Sequence, residues 1–199
     1  ANLDARTQRF ELASGLKVAL LPKGTRGGAV QASLRLHLGD EQSLRGQGAV
    51  GAMLGSLFDK GGAGLTRQQV ADEIDRLRAK LNFGIGGQDL TVGITTTRDN
   101  LPAVITLVGK LLRDPALPAD VLEENRRQWL AGIEQQRKDP GAVVGNTIGR
   151  HGNPYPRGDL RYTSTFDETV EDVQAVKTEQ LRAFHRRFVS AAQGEFSAS

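Results

Sequence analysis

Apolar and polar residues alternate on both sides of Ser14-Gly15, with Phe10 and Leu12 before it and Leu16, Val18 and Leu20 after it. A period of two marks a half-buried strand, because successive side chains point to opposite faces. Residues 10–21 are therefore expected to form a hairpin. After the loop 23–28, Leu34, Leu36 and Leu38 alternate with Arg35 and His37, which predicts a second half-buried strand over 29–38. Phe83 and Ile85, then Leu90, Val92 and Ile94, repeat the pattern around Gly86-Gly87 and predict a second hairpin.

The other segments follow the helical period. Residues 48–58 carry no charge, and Ala52, Met53 and Leu57 fall at helical spacing, so this stretch is expected to be a buried helix ended by Gly61-Gly62. Thr66 and Gln69 form a capping box, followed by an apolar stripe of Val70, Ile74, Leu77 and Leu81. Asp99 or Asn100 is expected to cap a helix carrying Leu101, Val104, Ile105, Val108, Leu111 and Leu112. Pro118 suits a first helical turn, and a long helix follows with Leu122, Trp129 and Ile133 inward and Asp139-Pro140 as its stop. A loop is expected next. Thr178 then opens a last helix with Leu181, Phe184 and Phe188 on one side, and residues 191–199 read as the start of a strand.

Strands that arrive in adjacent pairs, separated by helices, favour an α+β domain with a mostly antiparallel sheet backed by helices over a doubly wound parallel sheet. A length of 199 residues suits a single domain, and no low-complexity linker divides it. Ala1 and the unfinished last strand suggest a segment of a longer multi-domain chain, cut short at its C-terminus. No window reaches the roughly 18 apolar residues of a membrane span.

Composition removes several chemistries. With no cysteine there is no disulfide framework, thiolate zinc site or cysteine nucleophile. The three histidines, His37, His151 and His185, lie far apart in polar neighbourhoods and read as surface residues, since a metal site needs converging ligands. A net charge of +3 and a pI near 9.4 are a mild basic excess. The short runs Arg126-Arg127 and His185-Arg186-Arg187 read as solvated helix faces. Gly46-Gln47-Gly48-Ala49-Val50-Gly51 matches the dinucleotide fingerprint in letters, but the glycines do not follow a first strand directly, and the acids Asp72 and Glu73 fall inside a helix. Tight turning and close packing explain these glycines. No Gly-x-Ser-x-Gly elbow supports a serine hydrolase.

Several segments together resemble the insulinase and pitrilysin zinc peptidases and their processing-peptidase relatives. Glu11 to Pro22 is similar to the family's first hairpin. Leu38-Gly39-Asp40-Glu41, then Phe58-Asp59-Lys60-Gly61, then Asn153-Pro154-Tyr155 ahead of Val176 to Phe188 follow in the family's order. The resemblance implies a sheet-and-helix domain, repeated so that paired halves enclose a chamber for peptides. It also implies a catalytic zinc held by His-x-x-Glu-His on one helix and by a glutamate on a later helix.

This sequence departs from that pattern at the metal. The positions corresponding to His, Glu and His are Ala52, Gly55 and Ser56, and residues 49–61 hold no histidine or glutamate in any register. The family's pair of glutamates corresponds to Glu124 and Ala131, so the metal-binding one is missing. Two imidazoles and a carboxylate are what would bring a zinc-bound water to a pKa of about 7. The resemblance therefore implies a domain without catalytic or metal-binding residues and with no cofactor of its own. It would wall the chamber and position peptide beside a homologous domain or subunit that carries zinc. An exported or periplasmic bacterial setting is favoured. In the family an arginine and a tyrosine touch substrate; Arg157, Arg161, Tyr155 and Tyr162 are the right types but lack a matching motif, so substrate-binding residues stay unassigned. The expected partners are the zinc-bearing homologue and peptide, with no nucleic acid and no membrane span. The competing class is a basic α+β module that binds the nucleic-acid backbone.

Overall fold

The structure is a computed structural model and describes residues 2–199. Its centre is a six-stranded sheet in the order β1-β2-β6-β3-β5-β4. The strands are β1 (Gln8–Glu11), β2 (Lys17–Leu20), β3 (Ala29–His37), β4 (Lys80–Gly86), β5 (Asp89–Thr97) and β6 (Gly194–Ala198). All neighbouring pairs are antiparallel except β2 with β6. The fold is thus α+β with a mostly antiparallel sheet. The C-terminal strand lies inside the sheet, where β6 joins the first hairpin to β3.

Register carries the alternating pattern across every strand. Phe10, Val18, Phe196, Leu34, Val92 and Phe83 stand opposite one another in a single apolar row. On the other face, Glu11, Lys17, Glu195 and Arg35 form a row of alternating charge. A one-residue slip would exchange these rows, so burial of one face fixes the pairing.

The apolar face packs against α1 (Gly48–Gly55), α3 (Leu101–Arg113) and α7 (Thr178–Phe188). Met53, Leu54, Phe58, Leu90, Val104, Leu111 and Leu181 are fully buried between them. The remaining helices are α2 (Arg67–Arg76), α4 (Ala119–Lys138), α5 (Pro140–His151) and α6 (Phe166–Ala175). Among the described residues no helix is long and apolar enough to cross a membrane.

Several expectations need correction. The first helix ends at Gly55, well before Gly61. Ser56 donates its hydroxyl to the Met53 carbonyl at 2.7 Å, and tight turns follow, with the Leu57 and Lys60 N–H groups donating three residues back. The stripe on α2 stops short of Leu81, which belongs to β4. Arg78 takes a left-handed φ of 47°, Ala79 N–H donates to the Ile74 carbonyl at 3.0 Å and Arg78 N–H to Asp75 at 2.9 Å. That is a Schellman stop made without glycine. Asn100 precedes α3 but does not cap it with its side chain, since its amide donates to the Leu77 carbonyl at 2.9 Å. The loop expected after Asp139-Pro140 contains α5 and α6. Asp139 ends α4 and at once caps α5, accepting the Ala142 N–H at 2.8 Å, with Pro140 in the first turn. No residue of α5 is buried, and Val143, Val144 and Ile148 face solvent.

Candidate functional site

Of the positions singled out by the resemblance, Ala52 and Gly55 lie on α1, Ser56 just past its end, and Glu124 and Ala131 on α4. Gly51 and Gly55 turn toward the sheet. A Cβ at Gly51 would sit 2.9 Å from Ile85 Cγ2, and one at Gly55 only 2.6 Å from the Ile85 backbone nitrogen. The glycines let α1 approach β4 at backbone distance, so a glutamate at position 55 would have to displace the strand. The adjacent stripe of α1 carries Ala49 and Ala52, and Ser56 follows just past its end. Ala49 and Ala52 wall a cleft. Ser56 Oγ lies 3.2 Å from Asn125 Nδ2 on α4, which donates to it.

Facing α1, α4 offers Asn125 rather than Glu124. The Glu124 carboxylate instead accepts from Arg67 at 3.0 Å, at the start of α2. Ala131 is exposed, and the residue after it, one heptad beyond Asn125, is Gly132. The α1-side positions that the resemblance assigns to a metal site are thus Ala52, Gly55 and Ser56, and the Ser56 hydroxyl is paired with the Asn125 amide. Among the described residues no three His, Asp or Glu side chains converge into a set able to hold a metal ion.

The cleft beside α1 has a volume of 520 Å³. It is lined by Ala49 and Ala52, by Trp129 of α4 and Val173 of α6, and by Leu160 and Tyr162 of the irregular segment between α5 and α6, which forms one of its walls. Its charges are already matched. Arg157 reaches Glu171 at 2.9 Å and Asp172 at 3.0 Å on α6. Arg161 makes two bonds to Asp159 at 2.9 and 3.0 Å, meets Glu41 at 2.8 Å and stacks 3.9 Å from the Tyr155 ring centre. A second hollow of 610 Å³ lies over the outer face of the sheet around Ser33, Arg35 and Glu195, among the alternating charges.

Titration behaviour points the same way. The hydrogen bonds from Arg161 hold the Asp159 carboxyl at about 2. Backbone and side-chain donation by Ser43 lowers Asp40, the Arg76 guanidinium lowers Glu73, Arg126 lowers Glu123, and the Thr165 N–H lowers Glu168. Every shifted carboxyl moves away from neutrality. A general base or acid at neutral pH needs the opposite shift, so these groups serve as structural ion pairs and caps.

Two side chains read as solvated surface are not. Arg126 is only 12% exposed. It donates to the carbonyls of Val173, Gln174 (3.0 Å) and Val176 (2.7 Å), closing the C-terminal end of α6. His185 is half-buried, with Nε2 2.7 Å from the Leu112 carbonyl at the end of α3 and its ring beside Phe58. With Arg126, Arg137, Arg157 and Arg161 all engaged by protein oxygens, a basic face for nucleic acid is not favoured. Gly46 likewise spends its N–H on the Gly158 carbonyl at 2.8 Å, and Gly51 packs on Ile85, as expected of a packing turn. Of Arg157, Arg161, Tyr155 and Tyr162, the structure brings Arg161 onto Tyr155 and turns the Tyr162 hydroxyl to Glu168 at 3.0 Å.

Among solved structures, the chain is similar to the peptidase M16 inactive domain from Pseudomonas fluorescens, with a TM-score of 0.80 and 21% identity over 96% of this chain and 46% of that one. It is also similar to a protease from Helicobacter pylori, with a TM-score of 0.79 and 16% identity over 96% of this chain and 45% of that one. A third is the periplasmic protease PqqL from Escherichia coli, with a TM-score of 0.77 and 14% identity over all of this chain and 22% of that one. No protein-family profile matches the sequence, and no curated protein sequence does. The chain spans less than half the length of these solved chains. At such identities the likeness is one of fold: the α+β architecture is that of peptidase M16 domains, including one described as inactive.

Proposed function

We propose that the chain is the non-catalytic domain of an insulinase-type zinc endopeptidase, which lines a peptide chamber and completes a homologous, zinc-bearing domain or subunit. The observation that carries this reading is α1 itself. In a fold shared with an M16 inactive domain, this helix is seated on β4 through glycines and offers Ala52 and Ser56 where metal ligands would stand. Peptide would be held mainly through its backbone by addition to a sheet edge. Strand β4 is an edge strand and packs against α1, which supports that mode. An exported, periplasmic setting is part of the proposal and draws on the periplasmic neighbour alone.

The test is reconstitution. The purified chain should bind no stoichiometric zinc and cleave no unfolded peptide. Cleavage should appear when it is combined with a homologous domain bearing His-x-x-Glu-His, and should be abolished by a chelator. Tightly held zinc with chelator-sensitive proteolysis by this chain alone would overturn the reading, as would a zinc-bearing homologue that gains nothing from its presence.

A further inference from the structure

We infer that residues 152–165 form a salt-labile strap, clamped in place as one wall of the α1 cleft by Arg157 and Arg161, so that these two arginines set how widely the cleft opens. The segment runs between α5 and α6 without helix or strand. Leu160 and Tyr162 line the cleft opposite Ala52 and Trp129. In this stretch Leu160 alone packs against the apolar core. The Gly158 carbonyl accepts one backbone bond from outside, from Gly46 N–H at 2.8 Å.

Side-chain hydrogen bonds hold the C-terminal part of the strap, with Asn146 Nδ2 donating to the Ser164 carbonyl at 2.9 Å and the Tyr162 hydroxyl donating to Glu168 at 3.0 Å, while charge ties its middle in two directions. Arg161 ties the strap to the loop before α1 through Glu41 at 2.8 Å, and its bonds to Asp159 stiffen the turn. Arg157 ties the strap to α6 through Glu171 and Asp172. The two arginine side chains are 48% and 43% exposed. Exposed ion pairs are individually weak and are screened as the Debye length falls from about 10 Å at 0.1 M salt to about 3 Å at 1 M. The middle of the segment, with one apolar anchor and partly exposed clamps, opens below the free energy of global unfolding. Trp129, the single tryptophan of the chain, is half-buried and lines the same cleft, so opening would expose it further and make the motion observable without a label.

The experiment measures amide hydrogen exchange across 157–164 and acrylamide quenching of Trp129 at about 0.02 M and about 1 M sodium chloride, in the native chain and in Arg157→Gln and Arg161→Gln. Salt should speed exchange in 157–164 and raise quenching together, while β5 amides keep their protection. Each variant at low salt should already exchange about five-fold faster there than the native chain, the effect of losing the exposed pairs that one arginine makes. Exchange in 157–164 that ignores salt, variants that match the native chain at low salt, or a rise shared equally by β5 would each overturn the inference.

Discussion

Helices α1 and α6 lie against each other and are held in place by opposite means. Helix α1 has no side-chain cap at its N-terminus and no charge, and buries five of its eight residues. Its position is set by steric fit, with Gly51 and Gly55 against Ile85. Helix α6 buries only Val173. Polar groups secure both of its ends. At the N-terminus Thr165 and Glu168 form a capping box, and Asp167 meets Arg137 at 2.5 Å. At the C-terminus Arg126 collects the free carbonyls. The contrast shows that a helix can be placed by the absence of side chains or by hydrogen bonds at its termini. The first needs a dry contact and leaves no room for a ligand; the second needs partners remote in sequence.

The sharpest test of placement by steric fit is to add one methyl group at the α1 contact and one on an exposed helix face. Gly55→Ala should destabilise the fold by about 3 kcal/mol, the upper part of the usual cost of overpacking, because the new Cβ meets β4 backbone. Gly132→Ala, in the exposed middle of α4 with open space around it, should stabilise by about 0.8 kcal/mol through helix propensity alone. Urea denaturation of both variants checks the opposite signs.

The next effect belongs to the C-terminal end of α6. Arg126→Met leaves several carbonyls without their charged donor and should cost about 2 kcal/mol. Arg127→Met, its exposed neighbour, should change stability by less than about 0.5 kcal/mol. Equal losses in the two would mean that capping by Arg126 does not hold α6. At the other end, Thr165→Ala removes the bond accepted from Glu168 N–H at 3.0 Å and should cost about 1 kcal/mol, with faster amide exchange confined to the first turn of α6.

The smallest expected effect is electrostatic. Asp159 titrates at about 2, held down chiefly by the Arg161 side chain, against an ordinary value of about 3.9. A carboxyl depressed on folding contributes its stability above its unfolded value and loses it as pH falls through the folded one. The contribution should therefore be whole above about pH 4 and vanish toward pH 2. Carbon NMR of the Asp159 carboxyl should show the low midpoint in the native chain, moved upward in Arg161→Gln.

How far each region could be read from sequence follows the same divide. The second hairpin, α3 and α7 announce themselves because each buries a periodic apolar face: Leu181, Phe184 and Phe188 are all in the core, as their spacing requires. Helix α1 shows instead as an uncharged run, and the first hairpin as alternation around a turn although β1 is exposed. Helices α5 and α6 bury one residue between them, so periodicity gave no signal. The readable cue for α6 was the Thr165-to-Glu168 capping box ahead of Val170 and Val173, and for α5 the Asp139-Pro140 pair read as the start of a helix as well as a stop. On α4, the resemblance matches Glu124 and Ala131 to the family's glutamates; which side chain faces Ser56 depends on helix rotation, and Asn125 meets Ser56 while Glu124 meets Arg67.

Sequence alone determined which faces are apolar, where most strands and helices run, and that residues 49–61 contain no imidazole or glutamate to hold a metal ion, since side-chain period and residue chemistry are local properties. Only the tertiary structure decided that β6 enters between β2 and β3, that Arg126 spends its charge on α6, that His185 rests against Leu112 and Phe58, and that a clamped segment walls the cleft. Those outcomes join residues far apart along the chain. Local pattern sets what each piece can bury, and the partner it meets depends on how all the pieces pack at once.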